Sequence, residues 1–300
     1  MQQKKIRFYT YLVISMFLWG SSFVLTKHLL NNFNPITLTF IRCAIASLVF
    51  ALICYLFYNR EFRIAKKDLK YFVGMAFFEP FIYFIFETYS LKFCDASIVS
   101  VIIATIPLFV ALMAVTIFRE KLSALNFVGI ILSILGIIIM LWHSVNDAGF
   151  SFFGALLAFG AVFSTIGYNY FLKKLPASYP PIVVITWQNI LGLVAFSPLV
   201  FLVNDSESTM AQFYALGNIT NLSFILILAI FCSTVAFILY IDAMRTLGVA
   251  RTNIFVNLIP VMTAIFAYFV LKEEITITKV LGIVVVIMGI FMVQQKRKRG

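Results

Sequence analysis

The chain divides into ten long apolar runs, separated by short breaks that are charged or rich in Pro and Asn. A membrane core of about 30 Å requires about 20 apolar residues in a helix, which is the length of these runs. The runs lack the alternation of apolar and polar side chains that a membrane β-barrel requires. We therefore predict an all-α integral membrane protein with ten transmembrane helices, named spans 1 to 10, at residues 8–27, 35–58, 70–91, 96–118, 123–142, 151–172, 181–203, 222–245, 250–271 and 277–294.

The composition excludes a soluble enzyme. Of the 300 residues, 62% are hydrophobic and 12% are charged, and the mean hydropathy is +1.02. Soluble domains are about 45 to 50% apolar and about 25% charged. The net charge of +11 would suggest nucleic acid in a soluble protein, but here the basic residues lie mostly in short loops and at the ends. We expect membrane lipid, and not nucleic acid, around this chain.

The basic residues predict the orientation. Most of them, including Lys67 and the C-terminal KRKRG, lie in loops and ends on the same side as the N-terminus. Because short cytoplasmic loops carry an excess of Lys and Arg, we expect a multi-pass protein of the plasma (inner) membrane with both termini in the cytoplasm. The first apolar run lacks the cleavage site of a signal peptide, so we expect it to be retained as span 1.

The two halves of the chain resemble each other. The same residue type recurs 153 positions later in three pairs: Pro107 with Pro260, Gly129 with Gly282, and Gly136 with Gly289. Nearer the start of each half the separation is 146 positions, as for Pro35 with Pro181. Each half holds five spans, an odd number, so the halves must insert in opposite orientations. This is typical of inverted-repeat transporters, and it predicts one repeat over 1–145 and a second, with a basic C-terminal tail, over 146–300.

Several segments carry a family resemblance. WGSSFVLTK in span 1, FIRCAIA in span 2 and the turns FREKLS and LKEEIT resemble the EamA family of the drug/metabolite transporter superfamily, over essentially the whole chain and twice. The resemblance implies ten spans around a central cavity formed by spans 1, 3, 4, 6, 8 and 9. It also implies alternating access and, often, the export of amino acids or related metabolites.

Glu79 is the most unusual residue in the apolar runs. It lies about 18 Å from the predicted outer end of span 3, close to the middle of the membrane, and no basic residue is predicted at its depth. Burial disfavours the charged form of an unpaired carboxyl, so Glu79 is a candidate for proton coupling or for binding an amine. The alternative is a protonated Glu79 that forms a structural hydrogen bond with a neighbouring helix.

Two further charged residues lie at matching depths. Arg42 in span 2 and Glu87 in span 3 are each about 6 to 9 Å from the outer ends of their spans. We predict that they form a structural ion pair.

Other polar and aromatic residues are candidates for lining the cavity. Polar side chains in a membrane are tolerated where they face a cavity or find partners. With Glu79, the predicted substrate-binding residues are Trp19, Ser22, Tyr83, Tyr168, Asn169, Asn253 and Asn257. The predicted hinges are Pro80, Pro107 and Pro260, because Pro frees a backbone carbonyl and permits bending. Span 7, with Trp187 and Gln188, is expected to lie outside the cavity.

The sequence shows no pattern that requires a cofactor. The two histidines and four cysteines lack metal-ligand spacing, no catalytic constellation is visible, and no nucleotide-binding motif occurs, so no metal, catalytic residue or cofactor is predicted. We predict a secondary transporter that exports amino acids or similar amphiphiles, as a monomer or homodimer, with protons as the candidate coupling ion. The alternatives are an exchanger of nucleotide sugars or phosphorylated metabolites and, less favoured, an intramembrane lipid-modifying enzyme.

Overall fold

The structure, a computed structural model, describes residues 2–58, 62–109, 124–144, 149–176, 178–204, 206–247, 252 and 255–294. Within these ranges the secondary structure is helical throughout, which confirms the all-α prediction. Six helices are long and apolar enough to cross a membrane: Ile6–Leu29, Pro35–Phe57, Leu69–Phe93, Phe152–Lys174, Pro181–Val203 and Ile219–Met244. Four shorter apolar helices fall in the other predicted spans: Ala96–Phe109, Ala124–Met140, Ile259–Val270 and Ile277–Met292. We keep the span numbers for these helices.

The outer surface of the bundle is apolar. Large side chains that a soluble protein would bury are open on the helices, with Leu48 71% exposed, Phe57 74% exposed and Phe201 83% exposed. Exposed apolar surface of this extent marks contact with an apolar environment. These side chains therefore face the lipid.

Local sequence signals define where the spans begin. Span 2 starts at Pro35, and the side chain of Asn34 accepts a hydrogen bond from the backbone N–H of Ile36. Span 6 starts at Phe152, and the hydroxyl of Ser151 accepts from the N–H of Gly154. Both residues satisfy N–H groups that the first helical turn leaves unpaired. Between spans 7 and 8 a separate helix runs over Ser206–Leu216.

The spans pack in a pattern that repeats between the two halves. Span 1 packs against spans 8 and 9, and span 6 packs against spans 3 and 4. Span 2 packs against span 8, and span 7 against span 3, while spans 2 and 7 contact each other, as do spans 5 and 10. Exchanging each span for the one five places away leaves these contacts unchanged. This is the packing expected of two similar halves related by a pseudo-two-fold axis.

Spans 5 and 10 meet through their glycines. A Cβ added to Gly136 would lie 2.6 Å from the backbone nitrogen of Val286, and one added to Gly289 would lie 2.5 Å from that of Ser133. Such distances are too short for any side chain larger than hydrogen. Small residues let membrane helices approach closely, so the recurring glycines serve helix packing.

Four spans are interrupted near their middle. Span 3 is kinked at Phe77–Ile82, where Glu79 has an extended conformation (φ −144°, ψ 119°), and span 8 has a π-helical segment at Ile227–Val235. Span 4 is broken by a turn at Thr105, just before Pro107, and span 9 by a turn at residues 257–258, just before Pro260. The predicted hinge prolines therefore lie at or beside breaks. Broken helices leave backbone groups free at membrane depth, and in transporters they surround the substrate site.

A polar cluster joins the ends of spans 1, 4 and 10 on the side opposite the N-terminus. The carboxylate of Glu273 accepts from the backbone N–H of Ala96 at 2.7 Å and from the hydroxyl of Ser97 at 2.7 Å. Lys279 pairs with Asp95 at 2.9 Å. A carboxylate at a helix N-terminus satisfies free N–H groups and interacts favourably with the helix dipole. The cluster holds this end of the bundle together.

Candidate functional site

A cavity lies where spans 2, 3, 7 and 8 meet, beside the break in span 3. Its wall is mostly apolar and holds a few polar groups; the lining residues are Arg42, Cys43, Ala46, Glu79, Pro80, Phe84, Ile185, Gln188, Asn189, Ser233 and Phe237. Its volume is about 30 Å³, and a water molecule requires about 10 to 15 Å³ by this measure. In this conformation the cavity holds about two waters, so a metabolite can enter only if the spans move apart.

Arg42 supplies the positive charge of the cavity. Its Nε donates to the hydroxyl of Ser233 at 2.6 Å, and its guanidinium lies 4.5 Å from the centre of the Phe84 ring. A guanidinium has five N–H donors, and its other N–H groups have no hydrogen-bond partner in the described part of the chain. Arg42 is therefore anchored and oriented, and it retains donors that a carboxylate can use.

The predicted ion pair between Arg42 and Glu87 is wrong. Within the described ranges, no nitrogen of Arg42 lies within 4.0 Å of the Glu87 carboxylate. Glu87 instead accepts a hydrogen bond from the hydroxyl of Tyr83 at 3.1 Å. Its carboxylate interacts with the charge of Arg42 only across more than 4.0 Å. Matching depth placed the two residues near each other, but Ser233 and Phe84 turn the guanidinium towards the cavity.

Glu79 supplies the negative charge, and it is the one predicted cavity residue that lines this cavity. Its carboxylate has no hydrogen-bond partner and no ion-pair partner in the residues described. A basic residue, Arg42, lines the same cavity, but it does not pair with Glu79 in the described residues.

Gln188 is the third polar group, and it lies on the wall formed by span 7. The side chain is 7% exposed, and its buried Oε1 has no hydrogen-bond partner. The Nε2 group likewise has no partner where the chain is described. A buried amide without hydrogen bonds costs about 1 to 3 kcal/mol, so it is a group that a ligand can satisfy. The neighbouring amide of Asn189 is already used, since its Nδ2 donates to the carbonyl of Ile185.

The other predicted cavity residues that the structure describes lie outside this lining. The hydroxyl of Ser22 donates to the carbonyl of Trp19, and the amide of Asn169 donates to the carbonyl of Thr165, so both bond within their own helices. Trp19 lies behind the cavity, with its ring 4.9 Å from that of Phe237.

The remaining predicted positions are Tyr168, Asn257 and Asn253. Tyr168 packs against the apolar cluster of Phe72, Met75 and Val184. Asn257 lies at the break in span 9 and has a buried, unpartnered Oδ1. Asn253 falls outside the described residues. The roles of these residues in binding stay predictions.

A model of the EamA-like transporter family matches residues 7–142 and again residues 152–294, one match in each half. The chain belongs to the EamA-like transporter family. The family membership predicted from the WGSSFVLTK, FREKLS and LKEEIT segments is therefore confirmed.

Curated relatives of similar length support the same assignment. An "uncharacterized transporter" of Archaeoglobus fulgidus is 26% identical over 287 residues, covering 95% of this chain and 98% of its own. A "probable amino-acid metabolite efflux pump" of Escherichia coli is 25% identical over 280 residues, covering 91% and 90%. A solved structure titled "Crystal structure of protein" superposes with a TM-score of 0.68 at 16% identity and covers 94% of both chains, which shows the shared fold.

Gln188 is the site residue that sequence reasoning undervalued. The family resemblance placed span 7 outside the cavity, so its amides received little weight. One signal was available: the offset of 146 that aligns Pro35 with Pro181 also aligns Arg42 with Gln188. Both residues line the cavity, Arg42 from span 2 and Gln188 from span 7.

Proposed function

We propose that this membrane protein exports amino acids or similar small amphiphiles by alternating access. The single observation that carries the proposal is the cavity in which Arg42 and Glu79 face a common space without pairing with each other. An amino acid has both charges and can satisfy both residues. The apolar remainder of the wall, including Phe84, Ile185 and Phe237, suits an apolar side chain.

The breaks in the spans support the mechanism. The repeats over 1–145 and 146–300 would move relative to each other, with the interrupted spans 3, 4, 8 and 9 and their prolines Pro80, Pro107 and Pro260 as the bending points. The small cavity represents a closed state in this view. The name of the Escherichia coli relative supports amino acids as cargo and efflux as the direction. We further propose a location in the plasma membrane with both termini in the cytoplasm.

An exchanger of nucleotide sugars or phosphorylated metabolites is less well supported. Phosphate recognition favours several cations, or an Arg that binds bidentately without an opposing negative charge. Arg42 is the one cation among the described lining residues, and Glu79 would repel a phosphate.

Counterflow in liposomes tests the proposal. Purified protein is reconstituted, the vesicles are loaded with one unlabelled L-amino acid at a time, and entry of the same labelled amino acid is measured without any ion gradient. We expect counterflow of at least one apolar L-amino acid, and no counterflow of a sugar phosphate in the same vesicles. Counterflow of the sugar phosphate alone would reverse the assignment.

A further inference from the structure

The amide of Gln188 does not contribute to the hydrogen bonds that join the helices in the described residues. It is buried, it lines the cavity, and neither end of the amide has a hydrogen-bond partner in the described residues. Other buried polar side chains of span 7 are used: the hydroxyl of Thr186 donates to the carbonyl of Ile182 at 2.7 Å and contacts the sulfur of Cys54. Most buried polar groups in proteins are hydrogen-bonded, so an unpaired amide in a cavity wall is a group that a ligand can satisfy.

The arrangement of charges determines which part of a ligand belongs beside Gln188. Arg42 occupies the equivalent position on span 2, and it already offers several N–H donors. On the other walls of the cavity, Glu79 and the amide oxygen of Gln188 can accept hydrogen bonds from N–H groups of a ligand. A carboxylate bound between Arg42 and Gln188 would leave the buried Oε1 of Gln188, an acceptor, without a donor.

We infer that Gln188 determines specificity for a protonated amine in this cavity. The ligand is a zwitterion whose carboxylate binds the free N–H groups of Arg42. Its ammonium group donates to Glu79 and to Oε1 of Gln188. This inference rests on the proposed function and extends it by naming the orientation of the substrate.

Two variants of Gln188 separate the amine role from the alternatives. Gln188→Met keeps the length of the side chain and removes both the acceptor and the donors. Gln188→Glu keeps acceptor oxygens and removes the donors. The matched control is Thr186→Val, which removes a buried polar group from the same helix outside the cavity lining.

The probes are an amino acid and two analogues that each lack one charge. For leucine these are 4-methylpentanoate, which lacks the amine, and 3-methylbutylamine, which lacks the carboxylate. Binding is measured as ligand-dependent thermal stabilisation of the full chain in detergent, which does not require transport. Counterflow of the amino acid that wild type prefers is measured in parallel.

We expect Gln188→Met to weaken binding of the amino acid and of the amine about tenfold, as for a lost hydrogen bond to a charged group. Its affinity for 4-methylpentanoate should stay within about twofold of wild type. Gln188→Glu should keep or strengthen amine binding and weaken binding of 4-methylpentanoate, and Thr186→Val should change the affinity of none of the three probes.

Three results would overturn the inference. Equal weakening of all three probes by Gln188→Met would indicate a structural role. Unchanged affinity for all three would remove Gln188 from the site. Loss of 4-methylpentanoate alone would mean that the amide donates to the carboxylate.

Failure of the proposed function gives a different pattern. Wild type would then show no counterflow of any amino acid, whatever the amine-binding data of the variants show.

Discussion

The Nε of Arg42 donates a 2.6 Å hydrogen bond to the hydroxyl of Ser233, and this bond joins span 2 of the first half to span 8 of the second. It fixes the direction of a buried guanidinium in a cavity wall. Hydrogen bonds between membrane helices contribute about 0.6 kcal/mol on average and up to about 1.7 kcal/mol. We expect a coupling free energy of about 1 kcal/mol between Arg42→Gln and Ser233→Ala in a double-mutant cycle, measured by unfolding in detergent.

The control for this cycle is the pair that the structure leaves unbonded. Ser233→Ala combined with Glu87→Gln should show a smaller coupling, because no hydrogen bond joins these two side chains in the described residues. A larger coupling for Ser233 with Glu87 than for Arg42 with Ser233 would contradict the observed geometry.

Gly192 allows span 7 to pack against the broken part of span 3. A Cβ at this position would lie 2.3 Å from Cγ of Pro80, and the proline ring cannot move away as a flexible side chain could. Gly192→Ala should therefore destabilise the protein by about 1 to 3 kcal/mol, although Ala is the better helix former. The measurement is the midpoint of thermal unfolding in detergent. Val194→Ala, at a position 62% exposed to lipid, is the control and should change the midpoint little.

Glu273 and Glu274 are adjacent carboxylates with different surroundings. The side chain of Glu273 is 9% exposed and accepts hydrogen bonds at the N-terminus of span 4, whereas Glu274 is exposed. Glu273→Ala should lower the free energy of unfolding by about 1 to 3 kcal/mol, since it leaves buried N–H groups unpaired. Glu274→Ala should have little effect. Equal effects of the two substitutions would show that the cluster does not stabilise this end of the bundle.

The orientation of the chain is tested by labelling of single cysteines. Lys67→Cys and Glu207→Cys introduce thiols at two exposed positions, and the four native cysteines are buried, which keeps background labelling low. In intact cells a membrane-impermeant maleimide should label residue 207 and should label residue 67 only after the membrane is permeabilised. The reverse pattern would place the termini outside the cell.

Long-range patterns in the sequence predicted the fold well. The apolar runs coincide with the helices because a membrane requires about the same length of apolar helix everywhere. The mid-span prolines predicted bending points, and breaks lie at or beside them, because a proline acts on the local backbone whatever surrounds it.

The site was harder to predict because it depends on how side chains turn. Depth along a helix placed Arg42 and Glu87 at one level, but it could not show that Ser233 would bind the Nε of Arg42 and hold its guanidinium in the wall of the cavity. Polarity alone could not separate residues that form hydrogen bonds within their own helix, such as Asn169, from a residue whose amide is unpaired in the described structure, such as Gln188. That distinction depends on the neighbours that packing brings to each side chain.

The central claim is that Glu79 binds the amine of an amino acid in the same cavity as Arg42. Sequence reasoning left three roles open for Glu79: amine binding, proton coupling and structural hydrogen bonding. Counterflow at equal pH on both sides of the liposome isolates binding, since no proton gradient drives it. Glu207→Gln, which removes an exposed carboxylate outside the spans, is the charge-matched control.

The deciding measurement is the half-saturating concentration of the preferred amino acid in this counterflow, for wild type, Glu79→Gln and Glu207→Gln. The account predicts a rise of about tenfold or more for Glu79→Gln, because a charge interaction in a poorly hydrated cavity is lost, and no change for Glu207→Gln. An unchanged value for Glu79→Gln would contradict amine binding. If gradient-driven uptake alone then lost its pH response, Glu79 would be a proton-coupling residue instead.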